Sequence, residues 1–167
     1  MRRSVFVLTG LALVATAWGA RLSAQQSSAS LTVSANVSKN CSITTSAVNF
    51  GAYDPVSGNA TAPLDGMGTV TVTCTRGATA HVGLSLGGNA VGTTRRMQQS
   101  STAFLNYEIY KDSARTFVWG NDYGSNLDIG PAPNRNPRTF NAYGRVFQAQ
   151  DAAVGAYTDT VVATVNF

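Results

Sequence analysis

The sequence predicts an all-β domain, and three observations carry that expectation. Gly, Thr, Ser, Asn and Val are abundant while charged residues make up only 12% of the chain. Several segments alternate apolar and polar residues with the period of two that a half-buried strand requires. No segment combines a 3.6-residue period with capping signals at both ends, so no long helix is expected.

The chain opens on an expected export signal over residues 1–24. Arg2 and Arg3 precede the apolar run Val5–Ala17, interrupted by Thr9 and Gly10, and small residues then offer cleavage after Ala17 or, as favoured here, after Ala24. That run is too short and too broken for a membrane span, and no second apolar run of spanning length follows. Without residues 1–24 the 12 Lys and Arg become 12 − 3 = 9, against 8 acidic residues, a net charge of about +1. The basic balance of the whole chain therefore gives no reason to expect nucleic acid as a partner. What remains fits one domain. Two cysteines, Cys41 and Cys74, in an exported chain suggest one disulfide, worth about 3–4 kcal/mol for a loop of this length in the chain-entropy account.

The elements follow in order. Gln25–Ala29 is small and polar, which predicts flexibility. In Ser30–Ser38, Leu31, Val33, Ala35 and Val37 alternate with Thr32, Ser34, Asn36 and Ser38, the cleanest strand pattern in the protein. Short strands are expected at Cys41–Thr45 and Val48–Phe50. Gly51–Met67, rich in Gly, Pro, Asn and Asp, reads as a long connection with turns. Strict alternation returns in Gly68–Thr75, with Val70, Val72 and Cys74 facing inward, and again in Ala80–Leu86. Val91–Gln99, carrying Arg95-Arg96, reads as a polar edge strand with exposed charges. Strands are expected at Phe104–Tyr110 and Phe117–Trp119, a polar loop over Asn121–Arg138, then extended chain over Thr139–Phe147. In Thr158–Phe167 the residues Val161, Ala163, Val165 and Phe167 alternate opposite Val162 and Thr164. A buried strand thus reaches the last residue, and the final position of an immunoglobulin-like sandwich could be left empty.

These segments together resemble the spore coat protein U domain family, which includes the subunits of archaic chaperone–usher pili. The likeness rests on the alternating segment up to Cys41, Val48-Asn49-Phe50-Gly51, Val70-Thr71-Val72-Thr73-Cys74, Leu105 to Asp112, Ala114-Arg115-Thr116, Val118-Trp119-Gly120, Tyr143-Gly144-Arg145, Gly155-x-Tyr157-x-Asp159-Thr160-Val161 and Val165-Asn166-Phe167. It implies an incomplete immunoglobulin-like sandwich completed by donor-strand exchange. A periplasmic pilus chaperone first lends a strand, and the N-terminal segment of a neighbouring subunit replaces it at an outer-membrane usher. Carried onto this chain, Leu31, Val33, Ala35 and Val37 are the donor residues within an extension over 25–40. Val161, Ala163, Val165 and Phe167 lie on the final strand beside the acceptor groove, in a domain over 41–167. Cys41 and Cys74 match the family's disulfide. The expected function is a structural subunit of a surface fimbria supporting adhesion or biofilm formation. The alternative is a self-complemented secreted module that binds a surface carbohydrate or protein.

Other chemistries find little support. His81 is the one histidine, and no G-x-S-x-G nucleophile elbow accompanies it, so hydrolysis is not expected. Asp112, Asp122 and Asp128 lack the D-x-D-x-D-G spacing of a calcium loop. No cofactor, metal or catalytic residue is assigned. Tyr107, Tyr110, Trp119, Tyr123 and Tyr143 could line a carbohydrate-binding face, but packing accounts for them as well.

Overall fold

Alternation organises the observed fold, with inward and outward residues changing places along Leu64–Cys74, Phe104–Tyr110, Arg138–Val146 and Ala163–Asn166. The computed structural model describes residues 23–167. Most of the expected export signal, residues 1–22, lies outside the described residues. The chain divides after Ala35. Residues 23–40, the alternating segment Ser30–Ser38 included, carry neither helix nor strand. Its apolar residues are left bare: Leu31, Val33 and Val37 are 89%, 86% and 80% exposed.

The unit from Asn36 onward is a two-sheet sandwich. Its strands are β1 (Cys41–Asn49), β2 (Leu64–Cys74), β3 (Thr79–Leu84), β4 (Arg95–Gln98), β5 (Phe104–Tyr110), β6 (Leu127–Pro131), β7 (Arg138–Val146) and β8 (Ala163–Asn166), with one helical turn, α1 (Gly58–Thr61). One sheet has the order β1-β2-β7-β5-β4 and the other β6-β3-β8, and every pairing is antiparallel. Val70, Val72 and Cys74 of β2, Leu105, Tyr107 and Ile109 of β5 and Ala142 and Val146 of β7 form one buried cluster with Ala80, Val82 and Leu84 of β3 in the other sheet. Trp119, fully buried, donates its indole N–H to the Val82 carbonyl at 2.8 Å, which satisfies the one polar atom its burial would strand. Cys41 opens β1 opposite Cys74 at the end of β2, and their sulfurs are bonded.

Several expectations change. The two short strands at Cys41–Thr45 and Val48–Phe50 are one strand, β1, carrying a bulge between Ser46 and Asn49. The connection Gly51–Met67 includes α1, and β2 begins earlier than its alternation suggests. Phe117–Trp119 makes only an isolated bridge, Tyr110 to Val118. The expected loop Asn121–Arg138 contains β6, because Leu127 and Asp128 pair with Val82 and His81 of β3 despite the surrounding Gly and Pro. The C-terminal strand is confined to Ala163–Asn166.

Arg95 is the sharpest correction. Instead of an exposed edge charge it is fully buried. Its position in β4 shares the inward parity of Met97, so the side chain enters the sandwich, where its guanidinium meets Glu108 and the carbonyls of Leu84, Ser85 and Trp119. Its neighbour Arg96 does face outward, 4.0 Å above the Phe104 ring.

On the outer face of the larger sheet, Asp65 accepts two hydrogen bonds from Arg145 at 2.7 and 2.9 Å, with Arg115 3.2 Å away. The Arg145 hydrogen bond holds the Asp65 carboxyl below its usual range, against an opposing push from partial burial, and the Arg115 charge adds to the lowering. A depressed folded-state pKa stabilises the fold above the ordinary carboxylate value near 3.8, and that contribution disappears as pH falls through the lower folded value. Asp65→Asn is therefore expected to lower the urea midpoint at about pH 7 and to leave it unchanged at about pH 2. An equal loss at both pH values would show that packing, not charge, is what Asp65 supplies.

Candidate functional site, an open cleft between the sheets

Two strand edges define the site. β1 ends the five-stranded sheet, β8 ends the three-stranded one, and each has a partner on one side only. Between them opens a cleft of about 440 Å³ with Val48 and Phe50 on the β1 wall, Val161 and Ala163 opposite, and Val70 and Ile109 among its floor residues. A second chamber of about 790 Å³ adjoins it. The two share Val48, Asn49, Phe50, Met97 and Tyr157, and the second continues past Tyr53, Leu64 and Val146. The lining is mostly apolar, and β1 and β8 each present a free sheet edge beside it, so the cleft has the requirements of a strand rather than of a small polar ligand.

The β1 wall depends on glycine. The bulge in β1 turns Val48 and Phe50 onto the inner face, where they lie over Gly66, Gly68 and Gly144. A Cβ at Gly144 would stand 2.6 Å from Val48 Cγ1 and 2.7 Å from Phe50 Cζ, and one at Gly68 would stand 2.8 Å from both Val48 Cγ2 and the Ser46 carbonyl. Any larger residue at these positions would push the wall into the cleft.

The opposite wall is a crossing segment. Thr158 exchanges backbone hydrogen bonds with Gln98 of β4, at 2.8 and 3.1 Å, so it belongs to the larger sheet. Five residues on, Ala163 pairs with Leu84 of β3 in the other sheet. Asp159 fastens the crossing. One of its oxygens accepts the N–H groups of Gly88, Asn89 and Thr160 and the Asn89 side-chain amide at 2.9–3.2 Å. The other accepts the Tyr107 hydroxyl at 2.8 Å. Burial first, and then this bond to a carboxylate, push the Tyr107 phenol far above its usual range, which keeps it a donor. Gly87, at φ +90°, is required twice: its backbone is left-handed, and a Cβ would strike the Asp159 carboxylate.

Of the residues picked out from the sequence, Val161 and Ala163 line the cleft. Val165 packs against the core, and Phe167 is half exposed and outside the lining. Leu31, Val33, Ala35 and Val37 are exposed. The five aromatic residues considered as a carbohydrate face do not form one. Trp119 is interior, Tyr107 is in the cleft floor, Tyr110 and Tyr143 are paired neighbours on the larger sheet, and Tyr123 is 96% exposed. Sequence reasoning missed the Tyr107–Asp159 bond. An acidic residue opening an otherwise apolar terminal segment was the available sign of it.

Residues 27–164 match the Spore Coat Protein U domain. The chain belongs to that family. Protein U of Myxococcus xanthus, a family relative, is 38% identical, the alignment covering 86% of this chain and 87% of the relative. Among solved structures, a chain of the chaperone–tip adhesion subunit pre-assembly complex from the archaic chaperone–usher Csu pili of Acinetobacter baumannii superposes with a TM-score of 0.56 at 24% identity. That match covers 78% of this Spore Coat Protein U domain chain but 40% of the pilus chain, so this chain spans less than half the length of that neighbour. The neighbour supports an immunoglobulin-like sandwich. The fold expected from the sequence and the family it resembles are both borne out.

Proposed function

We propose that this protein is an exported structural subunit of a surface fimbria, assembled through the chaperone–usher route by donor-strand complementation, and that it supports adhesion or biofilm formation. The observation that carries the reading is the cleft: an apolar channel flanked by two unpaired strand edges in a family-typical sandwich. The donor is Leu31, Val33, Ala35 and Val37 of a neighbouring copy. Leu31 to Val37 extended spans about 20 Å. Burying the Leu and each Val would contribute about 1.5–3 kcal/mol apiece, and each new backbone hydrogen bond about 0.5–1.5 kcal/mol net. The sum is enough to hold subunits without covalent links.

On this reading residues 1–24 are the export signal, 25–40 the donor extension and 41–167 the acceptor domain, with Val161, Ala163, Val165 and Phe167 on the strand that faces either donor or chaperone. The partners are a periplasmic chaperone that covers the cleft in transit, an outer-membrane usher and the neighbouring subunits, and the destination is the cell surface. The role is structural, with no reaction to catalyse and no metal or cofactor to hold. Head-to-tail contacts of this kind do not close on themselves, which suits a fibre.

Deleting residues 25–38 tests the reading. The truncated chain is expected to stay folded on its chaperone and to form no multimers in size-exclusion chromatography. A synthetic peptide of residues 25–40 is expected to bind it and to stabilise it against urea. A truncated chain that unfolds and is not rescued by the peptide would show a strand needed within its own domain, and a truncated chain that still polymerises would show that the extension is not the donor.

A further inference from the structure

A separate pocket, sharing no residue with the cleft, opens where the β3–β6 pair meets the loops that follow β5. It measures about 480 Å³ and is lined by His81, Lys111, Phe117, Tyr123, Leu127 and Asp128 among others. That volume is within the range of small-molecule sites, roughly 300–1,000 Å³.

The loops are held in place by their own hydrogen bonds. Asp112 accepts the N–H groups of Thr116, at 3.1 Å, and Phe117, at 2.8 Å. Lys111 donates its ammonium to the carbonyls of Gly124 and Asn126 at 3.3 and 3.1 Å, and the Asp122 carbonyl accepts the N–H groups of Ser125 and Asn126. A connection built with that much internal bonding nevertheless displays two bare aromatic rings, Phe117 at 66% and Tyr123 at 96% exposure. Both sit at the pocket rim, where neither contributes to the core.

Polar groups stand beside the rings. His81 and Asp128 are opposed across the β3–β6 pair, and Nδ1 of the imidazole is buried from solvent, 3.8 Å from the carboxylate and without a hydrogen-bond partner among the described residues. Asp128 is two-thirds exposed and spends one oxygen on the Gly130 N–H at 2.8 Å, which leaves the other for a ligand. The Lys111 charge is occupied by backbone carbonyls and is balanced within the lining by Asp128. The formal charges of Lys111 and Asp128 therefore cancel within the lining. Exposed rings beside a carboxylate and an imidazole suit a ligand with an apolar C–H face and a rim of hydroxyls.

We propose that this pocket binds a neutral pyranose, a hexose unit of a surface or matrix glycan. Phe117 and Tyr123 stack on its C–H face, and the free Asp128 oxygen takes its hydroxyls. The site is independent of donor-strand assembly and would be repeated once per subunit along a fibre, so weak single-site affinity would be multiplied by valency.

Saturation-transfer NMR on the full-length, assembled protein tests this, with the methyl glycosides of glucose, galactose, mannose and N-acetylglucosamine as probes, each at about 10 mM because a shallow site of this kind belongs to the millimolar class. Transfer to the ring C–H protons of at least one glycoside is expected. Tyr123→Ala should weaken it about five- to tenfold, whereas Tyr123→Phe should retain it, since stacking rather than the hydroxyl is the main contribution. Both changes are at an exposed position and leave the core intact. No transfer to any of the four glycosides overturns the proposal, as does transfer that Tyr123→Ala and Phe117→Ala both leave unchanged. Tyr123 found inaccessible to iodination in the assembled protein would mark the pocket as a contact between copies instead, and would overturn it too.

Discussion

Arg95→Ala is expected to lower the free energy of unfolding by about 3–5 kcal/mol, the cost of breaking a buried ion pair from one side. The guanidinium is fully buried, and every nitrogen is used: Nη1 pairs with Glu108, Nε with the Ser85 carbonyl, and Nη2 with the carbonyls of Leu84, Ser85 and Trp119 at 2.8–3.1 Å. Truncation leaves the Glu108 carboxylate, itself only 14% exposed, without its counter-charge. It also strands the three carbonyls and opens a cavity. Arg95 further joins β4 of one sheet to the end of β3 in the other, so its loss loosens the sandwich beside the cleft floor. Lysine offers a single point of charge and cannot reproduce the fork, so Arg95→Lys should recover little. Removing both charges with Arg95→Met and Glu108→Leu together should restore most of the stability, because no uncompensated ion remains. Urea unfolding followed by the fluorescence of buried Trp119 measures all three variants. A loss below about 1 kcal/mol for Arg95→Ala would mean that the pair is no stronger than a surface salt bridge.

What the sequence made legible follows from the range over which each cause acts. Alternation is local, so the two faces of Gly68–Thr75 and Phe104–Tyr110 and the inward direction of Cys74 could be read directly. The family could be read too, because its motifs are spread over the whole domain. β6 was hidden because its reason for being a strand is the β3 edge, tens of residues away, while its own sequence is broken by Gly130 and Pro131. Arg95 was misread for a related cause. Its pairing with Glu108 and the carbonyls of Leu84, Ser85 and Trp119 exists only once both sheets are in place, and a charged residue seen alone implies solvent. The cleft is a mixed case. Val161 and Ala163 were visible as an apolar row, but the narrowing of β8 to four residues reflects Asp159 and Thr158, which hold the preceding segment to other partners. The seating of Val48 and Phe50 over three glycines belongs to no single segment.

Val33→Asp is expected to abolish assembly while leaving the acceptor domain folded. Val33 is in the middle of the proposed donor row and is 86% exposed, so the change costs the isolated subunit little. In the complemented fibre the same position would be buried against the apolar lining. The substitution would forfeit about 1.5–3 kcal/mol of valine burial and would bring a carboxylate into a channel whose lining already carries Asp159. Desolvating an unpaired carboxylate costs several kcal/mol more, unless it takes up a proton and stays neutral. A combined loss of at least about 4 kcal/mol corresponds to a thousandfold weaker contact between neighbours. Thr32→Asp supplies the control: it places the same charge on the opposite face of the same strand, away from the lining, and should still polymerise. Size-exclusion chromatography of the full chain, released from its chaperone, reads both variants against wild type. Multimers from wild type and Thr32→Asp but only folded monomer from Val33→Asp would locate the burial on the Leu31–Val37 face. Equal polymerisation by Val33→Asp would remove that face from the contact, and loss of multimers in both variants would point to charge on the extension in general rather than to a strand with one buried side.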